Sequence, residues 1–183
     1  MTLPASVPRD ELHFRHIVLR GFRRADGLYD IEARLVDTKT EEMTVEGGHF
    51  IARGAPVHDM SVRLVIDEGL NVLDVMASTD ASPYGICRDA TKTLQCLKGL
   101  VIGRGWSKAI RERLAGRNGC THLTELLNPL ATVAFQTLWT VRRHQPPSLD
   151  ADGNPRKIDS CFAYASEREI VRQRWPAHYK GVG

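Results

Sequence analysis

Met60-Ser61-Val62-Arg63-Leu64-Val65-Ile66-Asp67-Glu68-Gly69-Leu70-Asn71-Val72-Leu73-Asp74-Val75-Met76 is the stretch that decides the fold. Met60, Val62, Leu64 and Ile66 alternate with Ser61, Arg63, Val65 and Asp67, the two-residue period of a strand with one face buried. Glu68-Gly69 turns the chain, and Val72, Asp74, Val75 and Met76 lead it back. The reading is an antiparallel hairpin.

Moving toward the N-terminus, the same period recurs. Tyr29, Ile31, Ala33 and Leu35 share a face, with Asp30, Glu32 and Arg34 opposite, in a strand that runs to Val36. Asp26-Gly27 before it is a hairpin-turn signal, and Ile17-Val18-Leu19 supplies the preceding strand. Gly47-Gly48 and Gly54-Ala55-Pro56 bracket a shorter strand near His49–Ala52.

Toward the C-terminus the period lengthens after Pro83. Cys87, Ala90, Leu94, Leu97 and Val101 follow helical spacing, which predicts a helix over Gly85–Leu100 with Cys87 on its buried side. Gly103-Arg104-Gly105 breaks it, and Trp106–Leu114 reads as a short basic helix. A long helix follows from Thr121, its N-cap, to His144, with Leu123, Leu127, Leu130, Ala134, Leu138 and Val141 as its stripe. Pro129 should kink it. Pro146-Pro147 ends it, Ile158–Ala165 is a short ordered piece, and Glu167–Arg174 is a small polar helix. The expected architecture is α+β: an antiparallel meander sheet followed by three to four helices packed on it. Residues 1–165 form one domain, and residues 166–183 a tail with a short helix.

Composition narrows the functional classes. The chain has 183 residues, 42% of them hydrophobic and 26% charged, which suits one globular domain. Residues 1–100 carry 12 Lys/Arg against 15 Asp/Glu, and the remainder 13 against 7, so the basic charge lies in the second part. That excess can attract an anionic substrate, but no nucleic-acid-binding motif accompanies it. No apolar run reaches the ~20 residues of a membrane span, and the N-terminus lacks a signal-peptide pattern. Cys87, Cys96, Cys120 and Cys161 are too few for a disulfide scaffold, so reduced thiols in a cytoplasm are expected. The sequence is compatible with a homo-oligomer.

Four places combine reactive side chains with structural punctuation. His58-Asp59 opens the third strand, where neighbours point to opposite faces. Thr79-Asp80-Ala81-Ser82-Pro83-Tyr84-Gly85-Ile86-Cys87 is a strand-to-helix junction, a setting that favours anions and thiolates. Gly119-Cys120-Thr121-His122-Leu123-Thr124-Glu125 starts the long helix, with His122 and Glu125 three apart on one face. Asp159-Ser160-Cys161 is the fourth. The candidate catalytic groups are Asp59, Asp80, Cys120, His122 and Glu125, and the candidate substrate contacts are Arg24, Ser82 and Tyr84. Cys120 and His122 are metal-capable groups that bracket a helix start. Mixed thiolate and imidazole donors suit zinc, with iron or an iron–sulfur cluster as the alternative. Cys96 is off the stripe, and His13, His16, His49, His144 and His178 lack companion groups and read as surface residues. Asp150-Ala151-Asp152-Gly153 is no calcium loop, because Cys161 stands where the twelfth-position Glu is needed. Gly103-Arg104-Gly105 lacks the rest of a dinucleotide fingerprint.

The segments Arg24–Glu32, His58–Met60, Thr79–Tyr84, Gly119–Leu123 and Asp159–Cys161 resemble a bacterial family known as a domain of unknown function. More distantly, Asp59–Leu64, Tyr84–Cys87 and Cys120–His122 resemble the ligand positions of iron–sulfur-cluster assembly scaffolds. That second resemblance implies convergence of His58 or Asp59 with Cys87, Cys120 and His122, which makes His58, Cys87, Cys120 and His122 the candidate metal ligands. The cysteine such scaffolds carry near Val57-His58 is absent here. These observations point to a small-molecule enzyme, a lyase, decarboxylase or hydrolase acting on an anionic metabolite. The alternatives are an iron–sulfur or sulfur-handling scaffold without turnover, and an interaction module.

Overall fold

A computed structural model describes residues 3–181. The chain divides into two compact units, one up to Thr140 and one from Val141. The first unit holds an antiparallel sheet in the order β1 (His13–Arg23), β2 (Tyr29–Lys39), β5 (Pro56–Ile66), β6 (Val72–Ala81). Two-residue strands β3 (Met43–Thr44) and β4 (Phe50–Ile51) pair with each other in the β2–β5 connection. The meander expected from the alternation is present. Gly27 takes φ +85 in the β1–β2 turn, a conformation that costs glycine nothing.

The register places one apolar row across the sheet. Leu35 faces Met60, Ala33 faces Val62, Ile31 faces Leu64 and Tyr29 faces Ile66, and all eight are buried. The same phase continues one step further along β2 to Asp37, which pairs with Arg15 on β1 and His58 on β5. The final rung of the core face is therefore polar.

Helices cover this face. The segment after β6 is helical, but it winds as a 3-10 helix over Gly85–Leu97 rather than the α-helix expected to Leu100. Leu94 and Leu97 bury at a three-residue interval, and the Thr91 and Thr93 hydroxyls donate to carbonyls three residues back at 2.8 Å. The following segment then lines the start of β6, through Val72 N–H to Leu100 O at 2.8 Å and Ile102 N–H to Leu70 O at 2.9 Å. Helix α1 (Trp106–Leu114) buries Trp106, Ile110 and Leu114, and the Trp106 indole donates to Leu127 O at 3.0 Å.

Helix α2 (Thr121–Arg142) carries the buried stripe Leu123, Leu126, Leu127, Leu130, Ala131, Ala134 and Leu138. Thr124 N–H bonds to Cys120 O at 2.9 Å, so the first helical acceptor is Cys120, not Thr121 as expected. Where α2 crosses β1, Gly21 leaves room for Thr137. A Cβ at Gly21 would sit 1.7 Å from Thr137 Oγ1. Six strand residues, about 20 Å, separate Gly21 from Arg15, and fifteen helical residues, about 22 Å, separate Thr137 from His122. The helix start is thereby delivered to the polar rung.

The second unit contains the 3-10 turns Phe162–Tyr164 and Pro176–His178 and helix α3 (Glu169–Arg174), which buries Val171. Asp150 Oδ1 accepts the amides of Asp152 and Asn154 at 3.0 and 2.8 Å, holding its own turn.

Candidate functional site

The polar rung is built around a buried carboxylate. Asp37 is 1% exposed. Arg15 grips both of its oxygens, Nε to Oδ1 at 2.7 Å and Nη2 to Oδ2 at 2.8 Å, the forked geometry that makes arginine–carboxylate pairs strong. His58 Nδ1 lies 3.0 Å from Oδ2 and His13 Nε2 lies 3.4 Å from Oδ1. The remaining arginine nitrogen, Nη1, donates to Glu125 Oε2 at 2.6 Å.

From above, α2 lowers His122 onto His58. The ring centroids are 3.7 Å apart, tilted by 30°. His122 Nε2 is 4.0 Å from the same Asp37 oxygen that His58 contacts, and its Nδ1 is 4.0 Å from Cys120 Sγ. One carboxylate oxygen thus faces two stacked imidazoles, and one of these stands between that oxygen and a thiol.

Electrostatics favour neutral rings. Burial lowers the His58 pKa and neighbouring His122 lowers it further, outweighing the opposing hydrogen bond and charge of Asp37. Burial also lowers His122, followed by the charge of Arg15, against Asp37 and Glu125. For Asp37, burial raises the pKa, but the hydrogen bonds and charges of Arg15 and His58 prevail and hold it below the ordinary aspartate value. An anionic carboxylate beside neutral imidazoles is the resulting state at neutral pH.

Of the residues singled out in the sequence, His58, Cys120, His122 and Glu125 meet at this rung. Among the described residues, Asp37, His58 and His122 are the group of three or more metal-capable side chains whose donor atoms lie within 4.8 Å of one another. Cys87 is not in it; half-buried, it sits in the first turn of the 3-10 helix, where its amide bonds to Tyr84 O at 3.1 Å. Asp59 points to the other side of the sheet, as alternation requires, and is gripped by Arg34 at 2.8 and 2.6 Å. Asp80 is exposed on β6, Ser82 Oγ donates to the Tyr84 carbonyl at 3.0 Å, and Tyr84 is exposed. Arg24 binds Asp26 and Asp30 in the β1–β2 turn, nine residues or about 30 Å along the strand direction from the Arg15 rung.

Sequence reasoning passed over Arg15 and Asp37, and placed His13 among unaccompanied surface residues, whereas it reaches Asp37. The signal for Asp37 was present. It continues the buried phase Tyr29, Ile31, Ala33, Leu35, and a charge in that phase demands partners. A hollow of about 490 Å³ also opens on the opposite sheet face, lined by residues including Arg20, Arg34, Ser61, Arg63 and Ser78. It contains none of the histidine group.

A family model described as "Protein of unknown function (DUF2889)" matches residues 13–136. The chain belongs to the DUF2889 family. In this DUF2889 protein every member of the polar rung, from His13 to Glu125, lies within the matched residues, whereas Asp159–Cys161 lies beyond them. No curated protein and no solved structure matches the chain significantly. No helix among the described residues is long and apolar enough to cross a membrane.

Proposed function

We propose that this protein is a small-molecule enzyme of hydrolase or lyase type, whose reacting groups are Cys120, His122 and His58 arranged around Asp37. The carrying observation is the sharing of Asp37 Oδ2 by both imidazoles, with the Cys120 sulfur at the far nitrogen of His122. A nucleophile, a base and an orienting carboxylate in that order are the parts of acyl-transfer chemistry.

In the hydrolase form, the Cys120 sulfur attacks an acyl carbonyl carbon while its proton passes to His122 Nδ1. The C–S bond forms, and the leaving group departs with the proton from His122. His58, its Nδ1–H donating to Asp37, accepts at Nε2 a proton from water, whose oxygen attacks the thioester carbonyl; the C–S bond breaks, the acid leaves, and the proton held by His58 returns to the Cys120 thiolate. Contacts of 4.0 Å at His122 are those of a resting site that tightens around substrate.

4-Nitrophenyl acetate tests this. The expectation is a burst of nitrophenolate with acetylation mapped to Cys120 by mass spectrometry, absent in Cys120→Ser and slowed about a hundred-fold in His122→Gln. Equal rates in the wild type and Cys120→Ser overturn it.

A second reading is favoured by the spacing of Asp37, His58 and His122 donor atoms within 4.8 Å. In it these residues hold zinc or iron, with Cys120 adjoining, and the protein is a metal-dependent enzyme or a sulfur-handling scaffold. Arg15 must then release at least one Asp37 oxygen, and the stacked rings must turn so that their in-plane lone pairs converge. Stoichiometric metal in protein purified without chelating resin supports this reading. Its absence, with no uptake of added zinc, removes it.

A further inference from the structure

We infer that the outer edge of the Arg15 guanidinium is a seat for the carboxylate of a small anionic ligand, and that Glu125 fills that seat in the resting chain. The inference rests on the catalytic reading for its purpose, though not for its binding chemistry.

Arg15 uses its nitrogens unequally. Nε and Nη2 are committed to Asp37, which is almost wholly buried. Nη1 faces outward and is met by Glu125, whose side chain is 49% exposed. The two carboxylates therefore play different parts. Removing Asp37 would leave buried groups without partners, whereas an exposed ion pair such as Arg15–Glu125 contributes little. Glu125 can swing into water at little cost, and a carboxylate arriving from solution finds a donor already oriented.

Position gives the seat its meaning. Glu125 lies one helical turn beyond His122 on the same face of α2, so a ligand replacing it stands beside the stacked imidazoles and near Cys120. Charge sets the ligand class. Only the Nη1 edge is released when Glu125 swings away, and Asp37 and Glu125 add negative charge nearby, which disfavours a dianion. A planar monocarboxylate fits where a phosphate does not.

The experiment uses the full chain, with the His58 and His122 ring protons followed by NMR at constant ionic strength. Sodium acetate is the probe, inorganic phosphate and sodium chloride the controls. Acetate is expected to shift both rings saturably, with phosphate weaker and chloride without effect. Glu125→Gln, a change at an exposed side chain, should tighten acetate binding about five-fold by removing the internal competitor. Arg15→Lys should abolish saturation. Acetate and chloride acting alike, tighter phosphate, or unchanged affinity in Glu125→Gln each overturns the proposal. An intact Cys120 burst without acetate binding sinks the seat alone. Acetate binding without a burst sinks only the catalytic reading.

Discussion

His58 and His122 stack with ring centroids 3.7 Å apart, although one belongs to a sheet strand and the other to the first turn of α2. Both are held below the ordinary histidine pKa, burial being the first cause for each. Their neutral forms are therefore the ones that dock helix on sheet. The unfolded chain, with normal imidazoles, binds more protons than the folded one between the two sets of pKa values, so stability rises with pH across that interval. The contribution is complete above the unfolded value of about 6.5 and is lost as pH falls through the depressed folded values. Urea midpoints should drop from about pH 7.5 to about pH 5.5, and His58→Gln should flatten that dependence. Equal slopes in both proteins would show that the stack is not the titrating element.

Asp37 is the anion of the same cluster, paired with the Arg15 cation. In Asp37→Asn, Arg15 keeps its place but loses its counter-charge, and the amide offers one acceptor oxygen where Arg15 donates to two. A fully buried pair broken on one side costs about 3–5 kcal/mol, but Arg15 is partly in water, so about 2 kcal/mol is expected. As pH falls from the ordinary aspartate pKa through the depressed value of the folded chain, the difference from wild type should narrow, because the unfolded chain takes up the proton first and the native carboxylate then loses the same charge. Urea unfolding at neutral and acid pH measures both effects.

How this site could be read from sequence depended on which periodicity carried each residue. The alternation through Met60–Ile66 and Tyr29–Leu35 described the sheet correctly because the buried row is apolar and strictly spaced. Cys120, His122 and Glu125 stood out because three reactive groups surround one helix start. Asp37 escapes because the alternation is followed only to Val36, one residue before its buried phase turns polar, and Arg15 because the preceding strand is read only from Ile17, whereas it starts at His13. Cys87 joins the others only through the scaffold resemblance, because helical spacing says which face a residue occupies, not what faces it across the fold. Nor did periodicity separate a 3-10 helix from an α-helix over Gly85–Leu97, where Leu94 and Leu97 satisfy both patterns.

Gly21 governs how closely α2 approaches. A methyl group there meets Thr137 Oγ1 at 1.7 Å and Thr137 Cβ at 2.8 Å. Thr137 is β-branched, and its hydroxyl is engaged with Val133 O at 2.8 Å, so it yields poorly. Gly21→Ala should destabilise by about 1–3 kcal/mol as the helix lifts from β1. Because His122 rides on the same helix, the His58–His122 ring-current shifts should diminish together with the melting temperature. A normal melting temperature with unchanged shifts would mean that the helix slides without disturbing the rung.

His58 and Asp59 are neighbours whose side chains enter opposite faces of β5, and they offer the sharpest contrast. His58 meets Asp37 and the stacked His122, while Asp59 binds Arg34 on the face that the helices leave open. His58→Gln should leave the first nitrophenolate burst nearly intact, since His122 serves Cys120. It should slow the following steady phase about a hundred-fold, because the base for water is gone. Asp59→Asn should alter neither phase by more than about two-fold, while lowering the urea midpoint only slightly through its partly exposed ion pair with Arg34. Pre-steady-state kinetics on the two variants decides the matter. If Asp59→Asn slowed the steady phase as much as His58→Gln, water activation would have to be reassigned to the open face of the sheet. The stacked histidines would then be a structural clasp between strand and helix.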